Sequence, residues 1–208
     1  ICACLVGSEM CIRDRAYAQT ENVALTPGSD AADLNFSWYS AGKGTPAVKV
    51  WKDGSKSSAK VVTGNAESIS AENWQGKSYS AANKVNIADY FEENTQYHYQ
   101  YTDNYTGDDS VWSAEYDYTT KATDKFSVIL TGDPQVGASG SSSDKSANDA
   151  SVARDAYNWN RTMQQALKTC PDASFLLSAG DQINQSGATK DDDKKTRESE
   201  YAGYLYPS

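Results

Sequence analysis

Gly132-Asp133-Pro134-Gln135 and Gly180-Asp181-Gln182-Ile183-Asn184 decide how this chain is read. The first follows the apolar run Phe126–Leu130, and the second follows Phe175-Leu176-Leu177. Lys125–Leu130 and Ala173–Ser178 read as strands covered on both faces, because continuous apolar runs leave no polar side. Each run ends on an Asp. Between them Val152, Ala156, Trp159, Met163, Ala166 and Leu167 keep near-helical spacing, which predicts a helix over 152–169. Pro171 closes it. The result is a strand–helix–strand unit with an acid at each strand tip. Neighbouring strands lie about 4.8 Å apart, so both carboxylates can serve one site. Open α/β sheets hold ligands at that edge, and paired hard oxygen donors there point to metal ions. Taken singly, either Asp also has an ordinary reading as a turn or cap residue.

Working outward, Gly137 to Ala150 is rich in Ser, Gly and Asp and predicts a flexible loop, with Ser151 or Asn148 capping the helix. Gln185 to Thr196 is polar as well. Its Asp191-Asp192-Asp193 run lacks the ligand alternation and terminal Glu of a calcium loop, so a solvated loop is predicted. Glu198 to Tyr206 starts another helix. Two parallel strands and a helix do not close a core. The chain therefore reads as a C-terminally truncated fragment.

Upstream, residues 16–121 predict a β-sandwich. Strand-like runs are Leu34–Tyr39, Ala47–Lys52, Lys60–Thr63, Lys84–Ile87, Gln96–Thr102 and Ser113–Thr119, separated by turn-rich clusters. Tyr97, Tyr99 and Tyr101 alternate and share one face, with His98 and Gln100 on the other. Asn94-Thr95-Gln96-Tyr97 suits a tyrosine corner. Trp38 is the candidate central core aromatic. His98, the single histidine, reads as a surface or half-buried strand residue rather than a ligand.

The formal net charge is -9, from 28 acidic and 19 basic residues in 208. Nucleic acid is excluded as a partner, because phosphate binding needs a basic face. No apolar run is long enough to span a membrane. Cys2, Cys4 and Cys11 crowd the extreme N-terminus, with Cys170 alone beyond them. Leu5 to Arg15 resembles a translated reading frame of a sequencing-library adapter. Residues 1–15 are therefore set apart from the fold. One cysteine then remains, and no disulfide framework. Ala16-Tyr17-Ala18-Gln19 has the small–x–small form of a secretory cleavage site, which points to a secreted or cell-surface protein whose signal peptide lies upstream.

Together these motifs resemble the purple-acid-phosphatase-like metallophosphoesterases, over residues 19–208. The sandwich part rests on Asn35-Phe36-Ser37-Trp38-Tyr39-Ser40, Asn94-Thr95-Gln96-Tyr97-His98-Tyr99 and Trp112-Ser113 leading to Tyr118-Thr119-Thr120. The catalytic part rests on the two Gly-Asp segments. The resemblance implies a fibronectin type III-like sandwich over 16–121, followed by a truncated α/β metallophosphoesterase domain over 125–208. It implies hydrolysis of a phosphate ester by two divalent or mixed-valence ions of Fe, Zn or Mn. Asp133 would ligate the first metal and Asp181 would bridge both. Purple enzymes carry a tyrosine three positions after the second Asp. Asn184 stands there, so no tyrosinate colour is expected. The wider superfamily often carries a histidine two positions after the first Asp. Gln135 stands there, as a weak ligand or hydrogen bonder. The histidine segments that complete such a site would lie beyond Ser208, so this stretch alone is predicted inactive. The ester, the metals and the oligomeric state stay open. The rival reading is a non-enzymatic extracellular binding module with a degenerate α/β part, in which Trp51, Trp74 and Tyr79 make a stacking surface.

Overall fold

A computed structural model describes residues 2–3, 23–107, 112–140, 145–184 and 191–207. Most of the adapter-like segment, the Ala16–Gln19 pattern and the 185–190 part of the polar loop lie outside the described residues. The chain is mostly β-sheet with few helices. Contacts divide it into two units, one of Cys2–Ser68 with Ala81–Phe126 and the other of Ser127–Ser208 with Ile69–Ser80.

Up to Phe126 the chain runs through short strands: β1 (Cys2–Ala3), β2 (Ala24–Pro27), β3 (Leu34–Ser40), β4 (Ala47–Lys52), β5 (Lys60–Thr63), β6 (Asn65–Glu72), β7 (Ser78–Ile87), β8 (Gln96–Thr102) and β9 (Tyr116–Thr119). Two four-stranded sheets form, ordered β2-β3-β7-β6 and β5-β4-β8-β9. Period-two alternation aims Leu34, Phe36 and Trp38 inward from β3, and Tyr97, Tyr99 and Tyr101 inward from β8. These rings meet across the sandwich. Phe36 meets Tyr99 at 5.2 Å and Trp38 meets Tyr101 at 5.1 Å, each pair adding about 0.5–1.5 kcal/mol beyond burial. The Tyr97 hydroxyl accepts the Glu92 N–H at 2.8 Å and donates to the Tyr90 carbonyl at 3.4 Å. That ties the corner to the backbone just upstream, as expected of a tyrosine corner.

Several expectations need correction. β1, β2 and β6 are strands that the pattern did not announce, and β1 falls within residues 1–15, which the sequence reading set apart from the fold. β6 is largely polar on both faces, so it carries no hydrophobic period. β7 starts at Ser78, not Lys84. Trp51 and Tyr79 are buried at 2% and 7% exposure, and Trp74 packs against the core of its own unit, the one that holds Val136 and Trp159. The exposed stacking surface of the rival reading is therefore not formed.

The second unit runs β10 (Ser127–Thr131), α1 (Lys145–Thr169), β11 (Ala173–Ser178) and α2 (Asp191–Leu205). β10 and β11 pair in parallel, with Ile129 opposite Leu176 and Leu130 opposite Leu177. Val152, Trp159 and Met163 of α1 pack with Val136, Leu176, Ile183 and Tyr204 into one core. Trp159 stacks on Tyr204 at 5.3 Å and donates its indole N–H to the Tyr204 carbonyl at 3.1 Å. α1 begins at Lys145, inside the predicted loop, so neither Ser151 nor Asn148 is its cap. Ser, Asn and Asp suit the first turns of a helix, and Ala147 and Ala150 favour its continuation. α2 likewise begins in the predicted solvated loop, at Asp191. Acidic residues stabilise a helix N-terminus through its dipole. β10 is not buried on both faces: Leu130 is 69% and Leu177 39% exposed, on the sheet side away from Ile129 and Leu176.

Candidate functional site

β10 ends at Thr131 and β11 at Ser178, but their pairing does not stop there. The Ala179 N–H donates to the Thr131 carbonyl at 2.7 Å, Asp133 to Gly180 at 3.2 Å, and Gln135 to Asp181 at 2.9 Å. Val136 then donates to Gln182 at 3.2 Å, and Asn184 returns a bond to Val136 at 3.1 Å. Val136 and Ile183 form a parallel bridge. Both are buried, which anchors the two motif segments from below. The two Gly-Asp segments thus run side by side, rung by rung, with Asp133 and Asp181 on adjacent rungs. Both acids are exposed, as are Gln135 and Asn184.

The backbone there is unusual. Among the described non-glycine residues, φ is positive at Asp89, Asn94, Asp133, Gln135 and Asp181. Three of those five belong to the candidate site. Asp tolerates the left-handed region better than most residues; Gln does not share that tolerance. Such conformations cost on the order of 1–3 kcal/mol each and gather where side chains must be aimed.

α1 holds the first segment in place. The Asp155 carboxylate accepts the N–H of Gly137 at 3.0 Å and of Ser139 at 3.1 Å. Arg154 donates to the Ser139 carbonyl at 2.8 Å and to its hydroxyl at 2.7 Å. From α2, the buried Glu200 presses on Gly137. At φ +104° Gly137 sits in the left-handed region that favours glycine, and a Cβ there would meet the Glu200 carboxylate. A cleft of about 300 Å³ opens between Gly132, Asp133 and Pro134 on one side and Asp155, Asn158, Trp159 and Thr162 on the other. Sequence reading missed Asp155, Arg154 and Glu200. Asp155 and Arg154 flank the apolar stripe of α1, the only trace they leave in the sequence. Glu200 lies in a stretch without a clear helical period.

Chemically, the arrangement offers two carboxylates and two amides on neighbouring rungs. Among the described residues, no group of three or more His, Cys, Asp or Glu is placed to hold a metal ion. The described donors therefore do not by themselves fit a binuclear centre. His98 belongs to the sandwich unit, apart from these segments.

A β-sandwich unit and an α/β unit with acids at its parallel strand tips make a phosphatase-type fold the natural comparison. The solved structure of purple acid phosphatase PPD1 from yellow lupin (Lupinus luteus) seeds is similar, with a TM-score of 0.55 and 15% identity over 89% of this chain. The match takes in 33% of the lupin chain, so the present chain spans about a third of that enzyme. At this identity the likeness is one of fold alone. The sensor domain of the anti-sigma factor RsgI4 of Pseudobacteroides cellulosolvens matches at a TM-score of 0.30 with 21% identity, over 52% of this chain and 96% of that one, too low to bear on the fold. No protein-family model and no curated protein matches the sequence.

Proposed function

We propose that this chain is the leading part of a metal-dependent phosphoric ester hydrolase of the purple-acid-phosphatase kind. In this reading a fibronectin-like sandwich, residues 16–121, precedes the first strand–helix–strand of a metallophosphoesterase domain, residues 125–208. The observation that supports it most is the ladder of backbone hydrogen bonds joining 131–136 to 179–184. That ladder sets Asp133 and Asp181 side by side at a sheet edge of the kind that binds ligands.

Asp133 would hold one cation and Asp181 would be shared between two, with Gln135 and Asn184 as flanking oxygen donors. The remaining donors would come from chain outside these 208 residues. Two bound cations there would offset the charge of a phosphoryl group and acidify a water. This chain's own residues aim the ligands. Asp155 and Arg154 fix the segment after Asp133, and the cleft beside Asp133 leaves room for an ester. Export to the cell exterior belongs to the same proposal, and so does the choice among Fe, Zn and Mn.

The test uses the chain itself, with Mn²⁺ as a paramagnetic probe. Amide resonances of 132–135 and 180–184 are expected to broaden first, at a weak affinity fitting an incomplete donor set. Asp181→Asn is expected to reduce that broadening, and the double change Asp133→Asn with Asp181→Asn to remove it. Broadening elsewhere, or broadening that survives the double change, would falsify the metal role.

A further inference from the structure

A second polar cluster lies far from the two Gly-Asp segments in the sequence, in the sandwich unit. His98, on β8, extends Nε2 to within 3.0 Å of Asp53 Oδ1. Its Nδ1 lies 2.7 Å from Asp117 Oδ1 and 3.4 Å from Glu115 Oε1. Asp53 belongs to the turn after β4. Asp117 lies on β9, directly across from His98. Glu115 immediately precedes β9. Trp51 of β4, also paired with His98, stacks against the ring at 5.8 Å and 22°. Lys56, from the short 3-10 helix Lys56–Ser58, lies over Trp51 at 5.0 Å and pairs with Glu115 at 2.8 Å. The His98 side chain is 13% exposed, while those of Asp53 and Asp117 are 67% and 60% exposed.

Elementary hydrogen-bond accounting favours the charged form of this ring. A neutral imidazole has one N–H and one lone pair. Between two carboxylates it donates to one and turns a lone pair on the other. Only the imidazolium donates to both. Around it stand three carboxylates, Asp53, Glu115 and Asp117, and one ammonium, Lys56. With the ring charged the cluster sums to -1. With the ring neutral it sums to -2, and the two carboxylates beside Nδ1, Asp117 and Glu115, lose the cation they share. Burial disfavours the charged ring, but hydrogen bonds to Asp53 and Asp117 and the charges of Asp117 and Glu115 outweigh it. The His98 pKa is raised above its ordinary value as a result.

β9 is where this matters. It is a four-residue edge strand, paired on one side only, with no buried residue of its own. We propose that His98 is a protonated clasp, fastening β9 and the Asp53 turn to β8, and that loss of its proton loosens this edge. The sign follows from linkage. A pKa raised by folding means stabilisation that is complete below the unfolded value, about 6.5, and lost as pH rises through the folded value. With its carboxylate partners ionised, the edge is tighter below the His98 midpoint than above it.

One histidine in the chain gives one ring Hε1 resonance to follow by NMR. Its midpoint is expected above about 6.5. Hydrogen-exchange protection of Tyr116–Thr119, referenced to the amides of β4, is expected to fall across the same midpoint. Asp117→Asn should lower the midpoint and flatten the response of β9. Should that variant fail to fold, Asp53→Asn, in an exposed turn, carries the same expectation at the other ring nitrogen. A wild-type midpoint at or below 6.5, or protection of β9 that ignores the ring titration, overturns the proposal.

Discussion

The sandwich unit closes both of its inner faces, whereas the parallel pair of the α/β unit is covered on one side only. Phe36 at 1%, Trp38 at 2% and Tyr97 at 0% exposure lie between two sheets. In the α/β unit, Ile129 and Leu176 are covered by α1, while Leu130 stays 69% exposed beside its register partner Leu177. The apolar runs are equally clear in both sequences. What differs is whether a second layer is present among the described residues. An apolar strand therefore announces its wish for burial, and the rest of the chain decides whether the wish is met.

The sharpest way to break this comparison is Trp38→Ala. Trp38 meets Tyr101 and donates its indole N–H to Asp103 at 2.6 Å. Truncation should cost the sandwich about 3–5 kcal/mol, through lost transfer energy and a cavity. Urea unfolding followed by the near-ultraviolet signal of the tyrosines measures it. A loss under about 1 kcal/mol would mean that the sandwich core is not organised around Trp38.

A smaller but more local effect is expected at the candidate site. Gly137→Ala sets a Cβ against the buried Glu200 and imposes a left-handed backbone on alanine. The expected cost is about 2 kcal/mol, confined to the loop. Exchange of the Val136 N–H, which bonds Gln182, should quicken while the sandwich amides stay as they were. Unchanged protection at Val136 would show that Glu200 yields freely, and that the loop after Asp133 is not wedged.

Much of this architecture was legible in the sequence. The two apolar runs, the period of α1 and the alternating tyrosines each carry a one-dimensional signature, so those strands, the helix and the shared face of the three rings followed. The adjacency of the Asp133 and Asp181 segments also followed, because a helix between two buried strands favours parallel pairing. Contacts made by single residues distant in sequence were not legible. Asp155 reaches back 18 residues to Gly137, and His98 gathers partners 45 and 19 residues away. No periodicity encodes such meetings. β6 was silent for another reason: a strand with polar residues on both faces has no hydrophobic period to read. The exposure of Leu130 was misread because a continuous apolar run looks the same whether one face is covered or two.

Leu130→Thr probes that last point and should have the smallest effect. Threonine is β-branched and favours strands, and it removes apolar surface from an exposed position. With the Leu130 side chain largely in water, its loss should change stability by no more than about 0.5 kcal/mol. The same change should reduce binding of a hydrophobic dye and self-association, since exposed apolar patches promote both. A cost of 2 kcal/mol or more, in the range of buried leucines, would show that the face of Leu130 and Leu177 is covered in solution. The contrast between a closed sandwich and a half-open α/β sheet would then be lost.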